Sequence, residues 1–419
     1  MTDTSKSWTA LQAFRRDAAR FFKEREELLD CGLVALIANV HLFILGPPGT
    51  AKSMLAESLA GGIGGARYFY TMLNKFMTWR DLACGEVTVR EETVGTSKSI
   101  RFRNSEGPLL FAHFIFLDEL FKASAATNNS LLNLLQERIY TINAGEVGRA
   151  PVLMVIGASN EAPGGEDEHL RAFADRFLLW HEVDYISVSD DYNTSFIDML
   201  EGSDPLPTSD LTLEDILYLR GEAQKVRVDR AILGVINSLR ATLRLEHKIE
   251  PSDRRFKAAI GAIKAFAFLN GRAEACIEDL GVLEHILWAG CERENRGVVR
   301  RVVREYSGES GLSAIESFYR EGINLYDGAL SLLGQADREI PFDDAQQKRC
   351  DGLRNEALAK ERQLDGMAVR IAREIESLNT RRAITLARYF LNQTNVLRKA
   401  LVSRRGVEDP FVGVGRGAR

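Results

Sequence analysis

The chain has 419 residues, 45% hydrophobic and 27% charged, with a formal net charge of -5 and a sequence pI of about 5.9. That length exceeds one ordinary core and implies two or three domains, and the composition excludes a disordered or fibrous chain. The acidic balance argues against a general nucleic-acid binder, whose affinity rests on basic contacts to phosphates.

Residues 8 to about 38 carry apolar positions at helical spacing (Leu11, Phe14, Ala18, Phe21, Phe22) and predict one or two helices. The segment is amphipathic and charged, without a signal-peptide core, and no apolar run in the chain reaches bilayer-spanning length. A cytoplasmic protein without direct membrane insertion is the expectation. The apolar run His41–Leu45 stops at Gly-Pro-Pro-Gly and predicts a buried strand and a turn, followed by a helix from near Lys52. Further strands are predicted at Arg67–Thr71, His113–Leu117, Val152–Gly157 and Phe177–Val183, with helices between them. Such alternation implies a parallel sheet covered on both faces. Gly85–Arg103 alternates like an inserted hairpin, and a smaller hairpin is expected over Arg138–Gly148.

After about Tyr185 no strand is expected. Thr212–Arg293 reads as helical, with Asp229 and Ser252 as N-caps. From about Gly297 the chain is helical and highly charged, with one apolar stripe at Leu364, Met367, Ile371, Ile375 and Leu378. Packing of antiparallel helices accounts for such a stripe. The domains predicted are 1–186 (α/β core), 187–296 (helical lid), 297–405 (C-terminal helices) and 406–419 (tail).

Three elements carry chemistry. Gly46-Pro47-Pro48-Gly49-Thr50-Ala51-Lys52-Ser53, with Met54 behind it, stands between a predicted strand and helix, the context of a P-loop. Glycines let backbone N–H groups curl toward phosphates, and the helix N-terminus adds partial positive charge. Lys52 is placed to reach the outer phosphates of ATP and Ser53 to bind magnesium. Ala51 stands where the pattern has glycine, and its small methyl is taken as compatible with the helical start. The run Phe114–Leu117 then delivers Asp118 and Glu119 at a strand's C-terminal end. Asp118 suits magnesium and Glu119 the polarisation of a lytic water. Asn160, at the end of the next strand, is placed to orient that water.

The cysteines (Cys31, Cys84, Cys276, Cys291 and Cys350) are five and scattered, which argues against disulfides and against zinc. His41, His113, His169, His181, His247 and His285 show no metal-ligand spacing and are assigned to packing or surface.

GPPGTAKS, GPLL with FIFLDEL, LLNLLQER, ASNE, ADRF and PSDRRFK, in this order over about residues 10 to 295, resemble the MoxR branch of the AAA+ ATPases, and most its RavA subgroup. The resemblance implies an AAA+ P-loop NTPase core, a parallel five-stranded sheet between helices, with an α-helical lid and a further C-terminal helical region. It implies that Arg176, in ADRF, reaches the neighbouring subunit's site, with Arg171 as the fallback. A local salt bridge to Asp175 or Glu182 is the plain alternative. It also implies that Arg254, in PSDRRFK, touches the same phosphates, leaving Arg255 for a surface or subunit contact. A homo-hexameric ring follows, remodelling protein clients in a chaperone-like way with a von Willebrand factor A domain partner. The subgroup's β-rich module has no counterpart in the helical pattern beyond about residue 300. The other readings are a nucleic-acid-stimulated motor, on which the mixed charges of Glu86–Arg103 bear, and a non-catalytic nucleotide switch or scaffold.

Overall fold

Apolar runs too short for helices build the central sheet, and periodic segments wrap it. The computed structural model describes residues 4–94, 97–142, 147–162, 168–186, 200, 205–288, 293–307, 310–338, 343–377 and 381–404. Helices α1 (Thr4–Phe21) and α2 (Glu26–Ala38) come first, separated where Glu24 takes a φ of 56°. Then follow β1 (Leu42–Leu45), α3 (Lys52–Gly61), β2 (Ile63–Gly64), β3 (Tyr68–Met72) and α4 (Trp79–Ala83). An antiparallel hairpin, β4 (Cys84–Val94) and β5 (Ser97–Glu106), precedes β6 (Phe114–Asp118) and α5 (Ala125–Glu137). A small hairpin, β7 (Ile139–Thr141) and β8 (Val147–Arg149), leads to β9 (Met154–Ser159), α6 (Glu168–Ala174) and β10 (Leu179–Glu182).

The main sheet has the order β10-β1-β9-β6-β3, and every pairing in it is parallel. All of β1 and β9 and the first four residues of β6 are buried, as parallel strands covered on both faces must be. This order places β1, β9 and β6 side by side, so the three chains leaving their C-terminal ends are neighbours. Helix α2 is buried from Cys31 to Ala38, apolar all round, as an internal helix is. Between β1 and β10, Phe43 and Trp180 pack with ring centroids 4.3 Å apart.

Strands do not stop at Tyr185. A two-residue strand β11 (Leu211–Thr212) pairs in parallel with β2, a ladder too short to leave a periodic signal. The inserted hairpin runs longer than expected at both ends, and the turn of the smaller one, with Asn143, Ala144 and Gly145, lies outside the described residues. The lid comprises α7 (Leu213–Gln224), α8 (Arg230–His247), α9 (Asp253–Leu269) and a 3-10 segment (Ile277–His285). Ser252 does cap α9, accepting from Arg255 N at 3.3 Å, and α8 begins directly after Asp229. Thr212 and Asp215 form a reciprocal capping box on α7. Helix α10 (Arg293–Tyr306) follows. No helix among the described residues is long and apolar enough to cross a membrane.

The described residues of Met1–Ile186 and Asp198–Val303 form one compact unit, and those of Arg304–Arg419 another. The second unit holds α11 (Ser310–Arg338), α12 (Asp344–Ser377) and α13 (Arg381–Arg404) around Ala329, Leu333, Ala357, Leu364, Leu397 and Leu401. Gly322 faces Leu364 and Gly328 faces Lys360, so α11 and α12 run antiparallel, with glycines at the close approaches. Leu364, Met367 and Ile371 of the apolar stripe are buried and Ile375 is half-buried, while Leu378 lies outside the described residues. Among the described residues this unit contains no strand.

Candidate active site

The loop between β1 and α3 is shaped by what lies against it. A Cβ on Gly46 would sit 2.2 Å from the Val183 carbonyl oxygen, where β10 ends, so only glycine fits. Gly46 N donates to Ser159 O at 3.1 Å, tying the loop to the end of β9. The buried Thr50 hydroxyl donates to Pro47 O at 2.9 Å. Ala51 is outside the helix, with φ 64° and ψ 21°. Its compatibility therefore does not come from a helical start. The position is left-handed, which explains why glycine suits it, and alanine carries a cost of about 1–2 kcal/mol there.

Lys52 is buried and donates to Gly46 O at 2.6 Å, Pro47 O at 2.9 Å and Asn160 Oδ1 at 3.1 Å. Burial pushes its pKa down, while Asp118 and Glu119 pull it back up. Ser53 and Met54, on the first turn of α3, are exposed. Asp118 ends β6 and accepts from Glu119 N at 2.9 Å. Glu119 adopts φ 52°, uncommon for a non-glycine residue and a form of strain that clusters at functional sites. Its carboxylate accepts from Asn160 Nδ2 at 2.9 Å and pairs with Lys122 Nζ at 3.3 Å. Lys52, Asn160, Glu119 and Lys122 thus form one hydrogen-bonded chain across β1, β9 and β6. The sequence reading missed Lys122, although its place three residues after Glu119 was a usable signal.

The arginines lie elsewhere. Arg176 and Arg254 line one cavity of about 150 Å³ with Asn39, His41, Gln136 and Arg138. Asn39 and His41 precede β1, so this cavity is at the opposite end of the sheet from the P-loop. With the Gln136 amide turned to satisfy both groups, its oxygen accepts from Arg176 Nη2 at 2.7 Å and Nη1 at 3.0 Å. The carboxylates that could have neutralised Arg176 serve other arginines: Asp175 pairs with Arg255 at 2.9 Å, and Glu182 with Arg296. Arg176 has no carboxylate partner among the described residues. The Arg171 side chain lies outside them.

Arg255 is not a surface or subunit contact. It is 3% exposed and donates to Ile286 O at 2.9 Å, Leu178 O at 2.6 Å and Phe177 O at 3.3 Å besides Asp175. It fastens the lid to the turn before β10. The adjacent Arg254 is exposed, as the 100° step between helical neighbours requires. His41, behind the cavity, has both ring nitrogens engaged, Nε2 with Leu135 O at 2.8 Å and Nδ1 with Val155 N at 3.1 Å.

Comparison with known proteins places this arrangement. A family model described as the MoxR domain in the MoxR-vWA-beta-propeller ternary systems matches residues 9–201, and an AAA lid domain model matches residues 231–303. Two uncharacterized proteins of Methanocaldococcus jannaschii are each 37% identical over 66% of this chain, covering 70% and 71% of their own lengths. The chaperone MoxR1 of Mycobacterium tuberculosis is 24% identical over 59% of this chain and 63% of its own. A crystal structure of a candidate ATPase from Cytophaga hutchinsonii shares the fold, with a TM-score of 0.57 at 17% identity over 72% of this chain and 95% of that one. The two family matches fall on the sheet that carries the P-loop and on the lid that carries Arg254, and the chain belongs to the MoxR family of AAA+ ATPases.

Proposed function

We propose that this chain hydrolyses ATP within a homo-hexameric ring, each subunit lending Arg176 and Arg254 to its neighbour. The observation that carries the proposal is their shared cavity at the sheet end away from the P-loop. Two guanidinium groups without a carboxylate of their own among the described residues are suited to an anion presented from outside. Asp175, the neighbouring carboxylate, is instead paired with Arg255.

Within one subunit, the Lys52 ammonium exchanges loop carbonyls for the outer phosphate oxygens, and backbone N–H groups of Gly49–Ser53 face the same oxygens. Magnesium would be held by the Ser53 hydroxyl and the Asp118 carboxylate, where it would neutralise phosphate charge. Glu119 takes a proton from the attacking water, held in place by the Asn160 amide. Asn160 also bonds Lys52, so the group that orients the base responds to the group that binds phosphate. Arg176 completes the site in trans, stabilising charge on the transferring phosphoryl group.

The energy of turnover is assigned to remodelling protein clients together with a von Willebrand factor A domain partner. The name of the matched family model, which places such MoxR domains in systems with vWA and β-propeller components, supports that partner. The relative named as a chaperone supports the client class.

Steady-state ATPase activity measured across protein concentrations tests the ring. Activity per subunit is expected to rise with assembly, and Arg176→Ala to lower it roughly a thousandfold with nucleotide binding retained. Activity independent of concentration and untouched by the substitution would mean a site complete within one subunit.

A further inference from the structure

Three side chains far apart in the sequence meet inside the first unit. Cys31 lies on α2, His181 on β10 and His285 at the end of the 3-10 segment of the lid. All three are under a tenth exposed, and the Cys31 sulfur and one ring nitrogen from each histidine lie within 4.8 Å of one another. Cys31 Sγ is 3.9 Å from His181 Nδ1, and the two imidazole rings have centroids 5.2 Å apart. Glu27 and Glu284 each bring an oxygen within 4.8 Å of His285 and of each other. Glu284 Oε1 is 3.3 Å from His285 Nε2. Scattered cysteines argued against zinc, and histidines without a metal-ligand spacing were assigned to packing or surface; Cys31 and His181 are 150 positions apart in the sequence. The fold removes that objection.

Apolar packing does not account for the set. Burying each polar group costs roughly 1–3 kcal/mol unless it is well bonded; Glu284 meets His285 at 3.3 Å and Arg300 at 3.7 Å, whereas the side-chain partner of His181 is a sulfur at 3.9 Å. The nucleotide site uses none of these residues. A divalent cation reconciles them, since a thiolate offsets part of its charge and two imidazoles share its shell. Tetrahedral zinc, with bonds of about 2.3 Å to sulfur and about 2.0–2.1 Å to nitrogen, holds such donors about 3.6 Å apart. Cys31 and His181 are within a few tenths of an ångström of that spacing. Sulfur and nitrogen donors select zinc over magnesium or calcium.

We infer that Cys31, His181 and His285 bind a zinc ion that ties α2 and the edge strand β10 to the lid, with Glu27 and Glu284 beside His285 as its outer neighbours. His181 is in register with Ile44, two residues before Gly46, so the tie also fixes the strand that ends in the P-loop.

Full-length protein purified without added metal is analysed for zinc, then stripped with a chelator and titrated with zinc or Co2+. About one zinc per chain is expected, and a sulfur-to-cobalt charge-transfer band in the near ultraviolet that disappears in Cys31→Ser. His181→Gln is expected to weaken zinc binding at least tenfold. Magnesium at the P-loop gives no sulfur band, so failure here leaves the ATPase reading untouched. If Cys31→Ser does not fold, the wild-type cobalt spectrum decides alone. Wild-type protein that takes up neither zinc nor cobalt, or whose cobalt spectrum lacks the sulfur band, overturns the inference.

Discussion

Arg254 and Arg255 are neighbours in one helix with opposite employment. Removing Arg255 would leave the carbonyls of Phe177, Leu178 and Ile286 short of a donor inside the protein and the half-buried Asp175 without its partner. Arg255→Met is therefore expected to cost about 1–3 kcal/mol, seen as a lowered melting temperature. Arg254→Ala should leave melting unchanged and reduce ATPase activity in the assembled protein. The sequence placed both residues on the lid, and only the family resemblance preferred Arg254 for the phosphates. The choice depends on which side of α9 meets the turn before β10, and that is a tertiary fact. Lys52, Asp118, Glu119 and Asn160 were legible because each sits at a fixed offset from a strand end. The bond between Asn160 and Glu119 was not, since it needs the order of the strands. His41 offers a test by pH. Burial pushes its pKa from the ordinary 6.5 down to about 4, and Nδ1 must stay unprotonated to accept from Val155. Between those two values the unfolded chain binds a proton that the folded chain refuses, so stability falls as pH drops through the window, by up to about 3 kcal/mol. Melting curves from pH 7.5 to 4 should show this loss, and His41→Gln should flatten it.

At the level of elements, β1, β6 and β9 could be read as buried apolar runs stopped by glycine, carboxylates or a polar turn, while β3 is an edge strand that is only partly buried. Strands β2 and β11 could not, because two residues show no period. The lid helices announced themselves by their caps, while the 3-10 segment carried no comparable signal. Ala51 was read correctly as part of the loop but for a reason the backbone does not support, since a left-handed residue ahead of a helix looks helical in sequence. The approach of the P-loop to β10 gives a sharper test. Gly46→Ala would drive a methyl group into the Val183 carbonyl, which is backbone and cannot turn aside. Loss of ATP binding is expected, measured by titration with a fluorescent nucleotide. Gly49→Ala meets no atom within 4 Å and bears only the strain of its φ of 79°, so it should bind with a smaller loss.

For the whole molecule, length and composition implied several domains, and the order of motifs implied the family. What could not be read was the relation between the two ends of the sheet. The P-loop leaves one end of β1, and the cavity of Arg176 and Arg254 opens at the other, beside Asn39 and His41. Four hydrogen-bonded residues, a span of about 13 Å, separate them. Because β1 is clamped on both sides by β9 and β10, it behaves as a short stiff strut. In the proposed ring, a subunit gripping its own phosphates would shift the arginines it lends next door, so successive sites would fire in turn rather than at random. Doping wild-type rings with Lys52→Ala subunits should then depress ATPase activity more steeply than the fraction of damaged subunits. A strand of four residues would be the timing element of the machine.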